Sequence, residues 1–324
     1  MRHNPLVSIL VPVYNVETYL PHCLDSLVGQ TYPHLQIVLI DDGSTDGSWR
    51  VMQEFAARDE RIEIYHQENL GVGVTRNRLL EKIKGDYVLF VDSDDWVELD
   101  MVEFLVGKVL LTNSSVVTCS MVTNDDDFDS TVYKEDIWTQ SKTIREFLRH
   151  ETFRGSLCNK LVATCLLHNQ HFHCEISYGE DALFCWGFLQ NASRVLITDK
   201  VLYHYRMNMD SISHQSFGRK KLTGHETWRI INEECEKWWP QYIGIAQARW
   251  GMEDMYLLRQ AGQSNFKKND AISQLQQTVK RFIPQMKSTG LLKGKEIFNA
   301  NIMCRWYHYG MLYNMLNQIK RKFI

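Results

Sequence analysis

Within the first 120 residues, four short β-rich apolar runs alternate with stretches of helical period, and no other feature restricts the fold as much. The runs are VSILVPV (7–13), LQIVLI (35–40), IEIY (62–65) and YVLFV (87–91). Between them, helical spacing covers 16–28, with Leu20, Leu24 and Leu27 on one side, then 46–57, with Asp46 as the expected N-cap, and 71–83. Strands alternating with helices predict right-handed βαβ units and a mainly parallel sheet flanked by helices, an α/β fold. The fourth run is apolar on both faces, which marks a central strand covered on both sides.

After residue 95 the alternation loosens. A helix is predicted over 101–111, a strand over 115–122 and a solvated acidic loop, NDDDFDS, over 124–130. A mixed region over 142–205 holds a helix near 179–189 and a strand over 195–204. Beyond about 215 the chain turns helical and Trp-rich, without internal repeat or low-complexity linker. Residues 293–324 carry six basic side chains against one acid, Glu296, interleaved with aromatics such as Phe298, Trp306 and Tyr313. Such a stretch predicts peripheral membrane contact, docking to a partner, or packing of a terminal helix on its own domain.

A formal net charge of −3 over 324 residues excludes bulk nucleic-acid binding. The N-terminal apolar stretch is too short for a signal peptide, and no run approaches the ~18 apolar residues of a membrane span. Eight cysteines show no CxxC pair and read as reduced, mostly buried thiols. The expected compartment is the cytosol, with contact at the inner face of the cell membrane through 293–324.

In an open α/β sheet, ligands sit at the C-terminal ends of the parallel strands. Here those ends carry Pro12-Val13-Tyr14-Asn15, Asp41-Asp42-Gly43-Ser44 and Asp92-Ser93-Asp94-Asp95. One such cluster is commonly a turn or a helix cap, with Asp94 or Asp95 opening the next helix; three on successive strands predict a site. Asp92 and Asp94 alternate around Ser93, so on an extended segment they share a direction. Hard carboxylate oxygens at that spacing suit Mg²⁺ or Mn²⁺, with a diphosphate completing the shell. Asp41 and Asp42 offer acceptors for a base or ribose, Tyr14 a stacking face, and Arg76 a cation for phosphate or base edges. A nucleotide diphosphate bridged by a metal is the expected ligand.

Residues 7–48 and 68–96, including PVYN, DDGSTDGS, GVGVTRN and VDSDDW, closely resemble the N-terminal half of family 2 glycosyltransferases of GT-A-type fold. The resemblance implies inverting transfer of a sugar from a nucleotide-sugar, UDP-linked in most members, with a divalent cation on the D-x-D motif. It would place the nucleoside on Pro12, Tyr14, Glu17, Asp42 and Arg76, the ribose or sugar side on Asp92 and the metal on Asp94, with Ser93 among the donor-binding residues. The second half resembles the family more loosely. YGEDALFCWGFL (178–189) is similar to the E-D motif that supplies the base, implying Asp181 in that role with Glu180 orienting it or touching the acceptor. CNKLV (158–162) and YHYRMNMDSIS (203–213) are similar to two further segments, which makes Lys160 and Arg206 candidates for acceptor or phosphate contact. On this reading 1–214 is the catalytic domain, with a nucleotide-sugar half (1–105) and an acceptor and base half (106–214), and 215–324 is a helical region facing membrane or partner. The acceptor would be a glycan or a lipid-linked carrier of cell-surface polysaccharide synthesis, with a protein or teichoic-acid acceptor fitting almost as well.

Other readings fit less well. Sugar nucleotidyl transfer and Rossmann dehydrogenation both want a glycine-rich loop after the first strand, where PVYN stands. A phosphatase with Asp92 as nucleophile has the wrong motif order. Cys165, His168, His171, His173 and Cys174 crowd together without the spaced pairs of a zinc site. A non-catalytic binding subunit would be expected to have lost its carboxylates, yet Asp92, Asp94 and Asp181 are all present.

Overall fold

The computed structural model describes residues 4–123, 132–151, 153–207, 217–264, 266 and 269–306. The predicted acidic loop at 124–130 and the end of the basic segment, 307–324, lie outside the described residues. Two compact units emerge. The first gathers the described residues of Met1–Ile144, Ser156–Cys174 and Gly187–Asn208; the second gathers those of Arg145–Gly155, Glu175–Trp186 and Met209–Ile324.

The first unit is built on one sheet. β1 (Val7–Val13), β2 (Leu35–Asp42), β3 (Ile62–Gln67) and β4 (Tyr87–Phe90) are joined by α1 (Leu20–Val28), α2 (Ser48–Ala56) and α3 (Val72–Leu80). β5 (Trp96–Val97), α4 (Met101–Thr112), β6 (Val116–Thr123), β7 (Glu135–Thr139), α5 (Gln140–Arg149), β8 (Lys160–Ala163), α6 (Glu180–Leu189) and β9 (Arg194–Tyr205) follow. The strand order is β3-β2-β1-β4-β8-β6-β9-β5, with β7 on β9. The four predicted runs pair in parallel, as the alternation requires. Beyond β4 the sheet is mixed, because β8 joins β4 and β6 antiparallel while β6 and β9 run parallel.

Burial follows the apolar pattern. Every residue of β2 is buried, and Ile9, Val11, Leu24, Leu27, Ile37, Leu39 and Leu89 share one core with α4 residues Val102 and Leu105. Each such side chain contributes about 1.5–3 kcal/mol of burial free energy.

Local hydrogen bonding sets the element ends differently from apolar period. α1 begins at Leu20, four residues later than expected, because Val16–Tyr19 close a turn in which the Val16 carbonyl accepts from Tyr19 and Leu20, and Pro21 then fits the first helical turn. α2 begins at Ser48 with Gly47 at the cap position, so Asp46 is not the N-cap. Its carboxylate instead accepts from the Ser48 and Glu17 amides, at 3.0 Å each. β2 runs two residues beyond expectation because β3 continues to Gln67 beside it, which makes Asp41 and Asp42 strand residues. The helix after β4 starts only at Met101, with β5 intervening, so neither Asp94 nor Asp95 opens it.

The second unit is helical: the end of α5, the start of α6, and α7 (Arg219–Trp238), α8 (Ile243–Gln263), α9 (Asp270–Ser288) and α10 (Lys295–Met303). Asn269 caps α9 by accepting from the Ile272 amide. Leu257, Leu258 and Ala261 of α8 pack on Ile272, Leu275 and Val279 of α9 in one core. Among the described residues no helix is long and apolar enough to cross a membrane.

Candidate functional site

The three strand ends singled out in the sequence lie in the first unit, and each is held by its neighbours. After β1, the Asn15 amide donates to Ser44 Oγ at 2.9 Å, and Asn15 Oδ1 accepts from the Thr45 amide at 2.8 Å. Glu17 Oε2 accepts from the Gly47 amide at 2.9 Å, and its other oxygen pairs with Arg50 at 3.3 Å. These bonds fasten the loop after β1 to the loop after β2. Tyr14, on the first loop, keeps 48% of its surface exposed, and Pro12 is half-buried in β1.

Asp41 and Asp42 are both buried, for different ends. Asp41 contacts His66 Nδ1 at 2.7 Å and accepts from the Ser44 amide, which holds the turn after β2. Asp42 accepts from the amides of Leu70 and Gly71, both at 2.9 Å, and from Gln67 Nε2 at 2.7 Å. Asp42 thereby shapes the loop that enters α3, where Gly71 adopts φ +90°.

The loop after β4 gathers the carboxylates. Asp92 and Asp94 are half-buried; Ser93 and Asp95 are buried. Arg76 of α3, itself buried, reaches Asp92 Oδ1 at 3.2 Å and lies 5.5 Å from the centre of the Phe172 ring. Asn77 holds the Phe172 segment by a reciprocal pair: its Oδ1 accepts from the Phe172 amide at 2.7 Å, and its Nδ2 donates to the Phe172 carbonyl at 2.9 Å. From the end of β9, Arg206 donates through Nε to the Asp94 carbonyl at 2.9 Å and through its amide to Asp95 Oδ1 at 2.8 Å. Its guanidinium sits over Trp96 and Tyr19, at 4.7 and 5.1 Å from the ring centres. Repulsion among the three neighbouring aspartates is opposed by two arginines.

Tyr203, fully buried on β9, ties the loop down. Its hydroxyl accepts from the Asp92 amide at 3.2 Å and donates to Asp95 Oδ2 at 2.6 Å. Tyr203→Phe leaves both groups short of a partner and is expected to cost about 1–3 kcal/mol of stability, read by urea denaturation.

Burial pushes the Asp95 carboxyl up to about 8, with the Asp92 and Asp94 charges adding to it and the Tyr203 and Arg206 hydrogen bonds opposing it. An elevated carboxyl stabilises the fold while protonated. This contribution is full below the unfolded value near 4 and is lost as pH rises through about 8. In metal-free protein, stability should therefore fall progressively between roughly pH 5 and pH 8.5 from this group. Asp95→Asn, followed by urea denaturation at both pH values, should flatten that fall.

The remaining candidates are placed as follows. Lys160 is 2% exposed on β8, its ammonium donating to the Ser156 carbonyl and to Asn159 Oδ1. Glu180 and Asp181 form the first turn of α6 after Gly179, whose φ is +87°; both are half-buried and stand in the second unit. The sequence reading did not single out Phe172, Asn77 or Tyr203, which pack against or bond to the groups around the carboxylate loop, although Tyr203 lies inside the YHYR segment singled out for Arg206.

Among the described residues no three His, Cys, Asp or Glu side chains converge into a metal cage. Asp92 and Asp94, half-exposed beside a buried third carboxylate, form an open acidic edge that fits a cation only when a further oxygen-rich ligand completes its shell.

Residues 8–170 match the sequence model of glycosyl transferase family 2. The chain belongs to that family. EpsH of Bacillus subtilis (strain 168) is 33% identical over 217 residues, which is 64% of this chain and 63% of EpsH, so the matched stretch spans less than two thirds of that relative. Two solved structures align over 94% of this family 2 chain. S. aureus TarS 1-349 in complex with UDP-GlcNAc has a TM-score of 0.70, 22% identity and 92% of its own chain covered. The mannosyltransferase PcManGT from Pyrobaculum calidifontis, in complex with GDP-Man and Mn²⁺, has a TM-score of 0.56, 16% identity and 88% covered. At these identities the likeness speaks for the fold, which is the GT-A type expected from the sequence.

Proposed function

We propose that this family 2 chain transfers a sugar from a nucleotide-diphosphate donor, UDP-linked, to a hydroxyl of a glycan or lipid-linked acceptor, with inversion at the anomeric carbon. The observation that carries the reading is the acidic edge of Asp92 and Asp94 at the end of β4, backed by Arg76 and Arg206 and lying beside the loops after β1 and β2. A UDP-GlcNAc complex among the structural neighbours supports the donor class, and a GDP-Man and Mn²⁺ complex supports a divalent cation.

In this mechanism Tyr14 covers the base, while Pro12, Glu17 and Asp42 shape the nucleoside pocket through the two fastened loops. Asp92 and Ser93 face the ribose and sugar, and Arg76 orients Asp92. Asp94 would hold Mn²⁺ or Mg²⁺, which when bound supplies positive charge against the departing diphosphate. Asp181 takes the proton from the acceptor hydroxyl as it attacks, and Glu180 orients it. Arg206, fixed over Trp96, adds cationic charge beside the Asp94 carbonyl, whereas Lys160 is committed to local carbonyl groups and supports the loop before β8. Residues 293–306, with Phe298 and Trp306 exposed beside Lys293, Lys295 and Arg305, fit contact with an anionic membrane face.

Proton NMR of the glycoside formed from an α-linked UDP-sugar tests the inversion. A β-anomer is expected, and an α-anomer would contradict the in-line displacement. The non-catalytic alternative predicts nucleotide binding without any product.

A further inference from the structure

The second unit contains a cavity of about 620 Å³ that no step above uses. Its walls include Arg154, Arg249, Arg259, His150, Tyr178 and Tyr256. Arg249, Met252, Glu253, Tyr256 and Arg259 recur on α8 at helical spacing, so one face of that helix supplies most of the wall. Leu257, Leu258 and Ala261 turn the opposite face into the core.

We propose that this cavity takes an oxyanion-bearing, sugar-sized ligand, and that the ligand is the charged part of the acceptor. The second half of the statement rests on the glycosyl-transfer reading.

Three observations carry it. The volume lies within the ordinary range for small-molecule sites. The charge balance favours an anion, because three arginines stand on the walls against two carboxylates. Glu253 pairs with Arg249 at 2.9 Å, and Glu296 accepts from the Lys293 amide at 3.2 Å. Arg249 stacks 5.0 Å from the Trp228 ring centre, which holds its guanidinium at the wall. Arginine forks suit phosphate and carboxylate oxygens, and the two tyrosines offer hydroxyls and ring faces to a polyol. The third observation is position. Tyr178 stands three residues before Asp181, so their Cα atoms lie within about 11 Å of each other. A ligand seated against Tyr178 is therefore near the residue assigned to activate its hydroxyl.

The test titrates glucose 6-phosphate, glucuronate and uncharged glucose into the full chain saturated with UDP, by calorimetry. The double variant Arg154→Gln/Arg259→Gln is titrated alongside, both arginines being outside the donor loops. Glucose 6-phosphate is expected to bind at millimolar concentration and the double variant to weaken it at least about tenfold. Glucuronate binding equally well would assign carboxylate-bearing acceptors as well as phosphate-bearing ones; glucuronate failing would restrict the class to phosphates. The proposal is overturned if neither anion binds, if glucose binds as tightly as the anions, or if the double variant binds glucose 6-phosphate like the unaltered protein. UDP affinity, measured separately on both proteins, reports on the donor site, so a failure of glycosyl transfer and a failure of the cavity are told apart.

Discussion

Asp181→Asn is expected to bind UDP as the unaltered protein does and to lose turnover by roughly 10²–10⁴-fold. Asparagine keeps the size and most of the hydrogen-bonding capacity of aspartate but cannot take a proton from an attacking hydroxyl. The position sharpens the test, because Asp181 stands in the first turn of α6, where any acid complements the helix dipole. If complementing the dipole were its whole role, the substitution would cost about 0.3–1 kcal/mol of stability and leave turnover untouched. A fall in kcat with unchanged UDP affinity, alongside at most the small loss of stability expected from the dipole, is the pattern of a base.

Asp94→Ala should do the reverse to binding: UDP affinity should stop depending on divalent cation, and turnover should fall by about 10³-fold, as when charge stabilisation of a leaving group is lost. Its stability behaviour separates this from damage to the fold. The Asp94 charge adds to the elevation of Asp95, so removing it relieves repulsion around a buried group. Metal-free Asp94→Ala should melt no lower than the unaltered protein, an outcome typical of a residue kept for function at a cost in stability. Loss of metal response together with unchanged or higher melting would hold the assignment; loss accompanied by unfolding would not.

How much of this was legible in the sequence depends on the range of the interactions involved. The four parallel strands are continuous apolar runs with a helix between each pair, and local pattern alone specifies them. β5, β7 and β8 were not anticipated as strands: they are two to five residues long, and their pairing with β9, β4 and β6 comes from residues far along the chain. Helix starts shifted where loop hydrogen bonds overruled period, as at Asp46 and Leu20. At the site, Asp92, Asp94, Arg76 and Arg206 do come together, because strand ends and the first turns of following helices are placed by topology. What sequence could not show is how each is held. Tyr203 reaches Asp95 across 108 residues and Asn77 reaches Phe172 across 95. Asp42 looked like a free acceptor for a nucleoside, yet its carboxylate already takes three hydrogen bonds from residues 67–71. On the proposed reading, its effect on a nucleoside would run in part through the loop it shapes.

The most direct measurement of the central claim is calorimetric titration of UDP and of GDP into the unaltered chain, with and without Mn²⁺. UDP binding that tightens with Mn²⁺ and exceeds GDP binding is the predicted result. UDP binding indifferent to Mn²⁺, or no binding of either nucleotide, would contradict the assignment of the acidic edge after β4 as the donor and metal site.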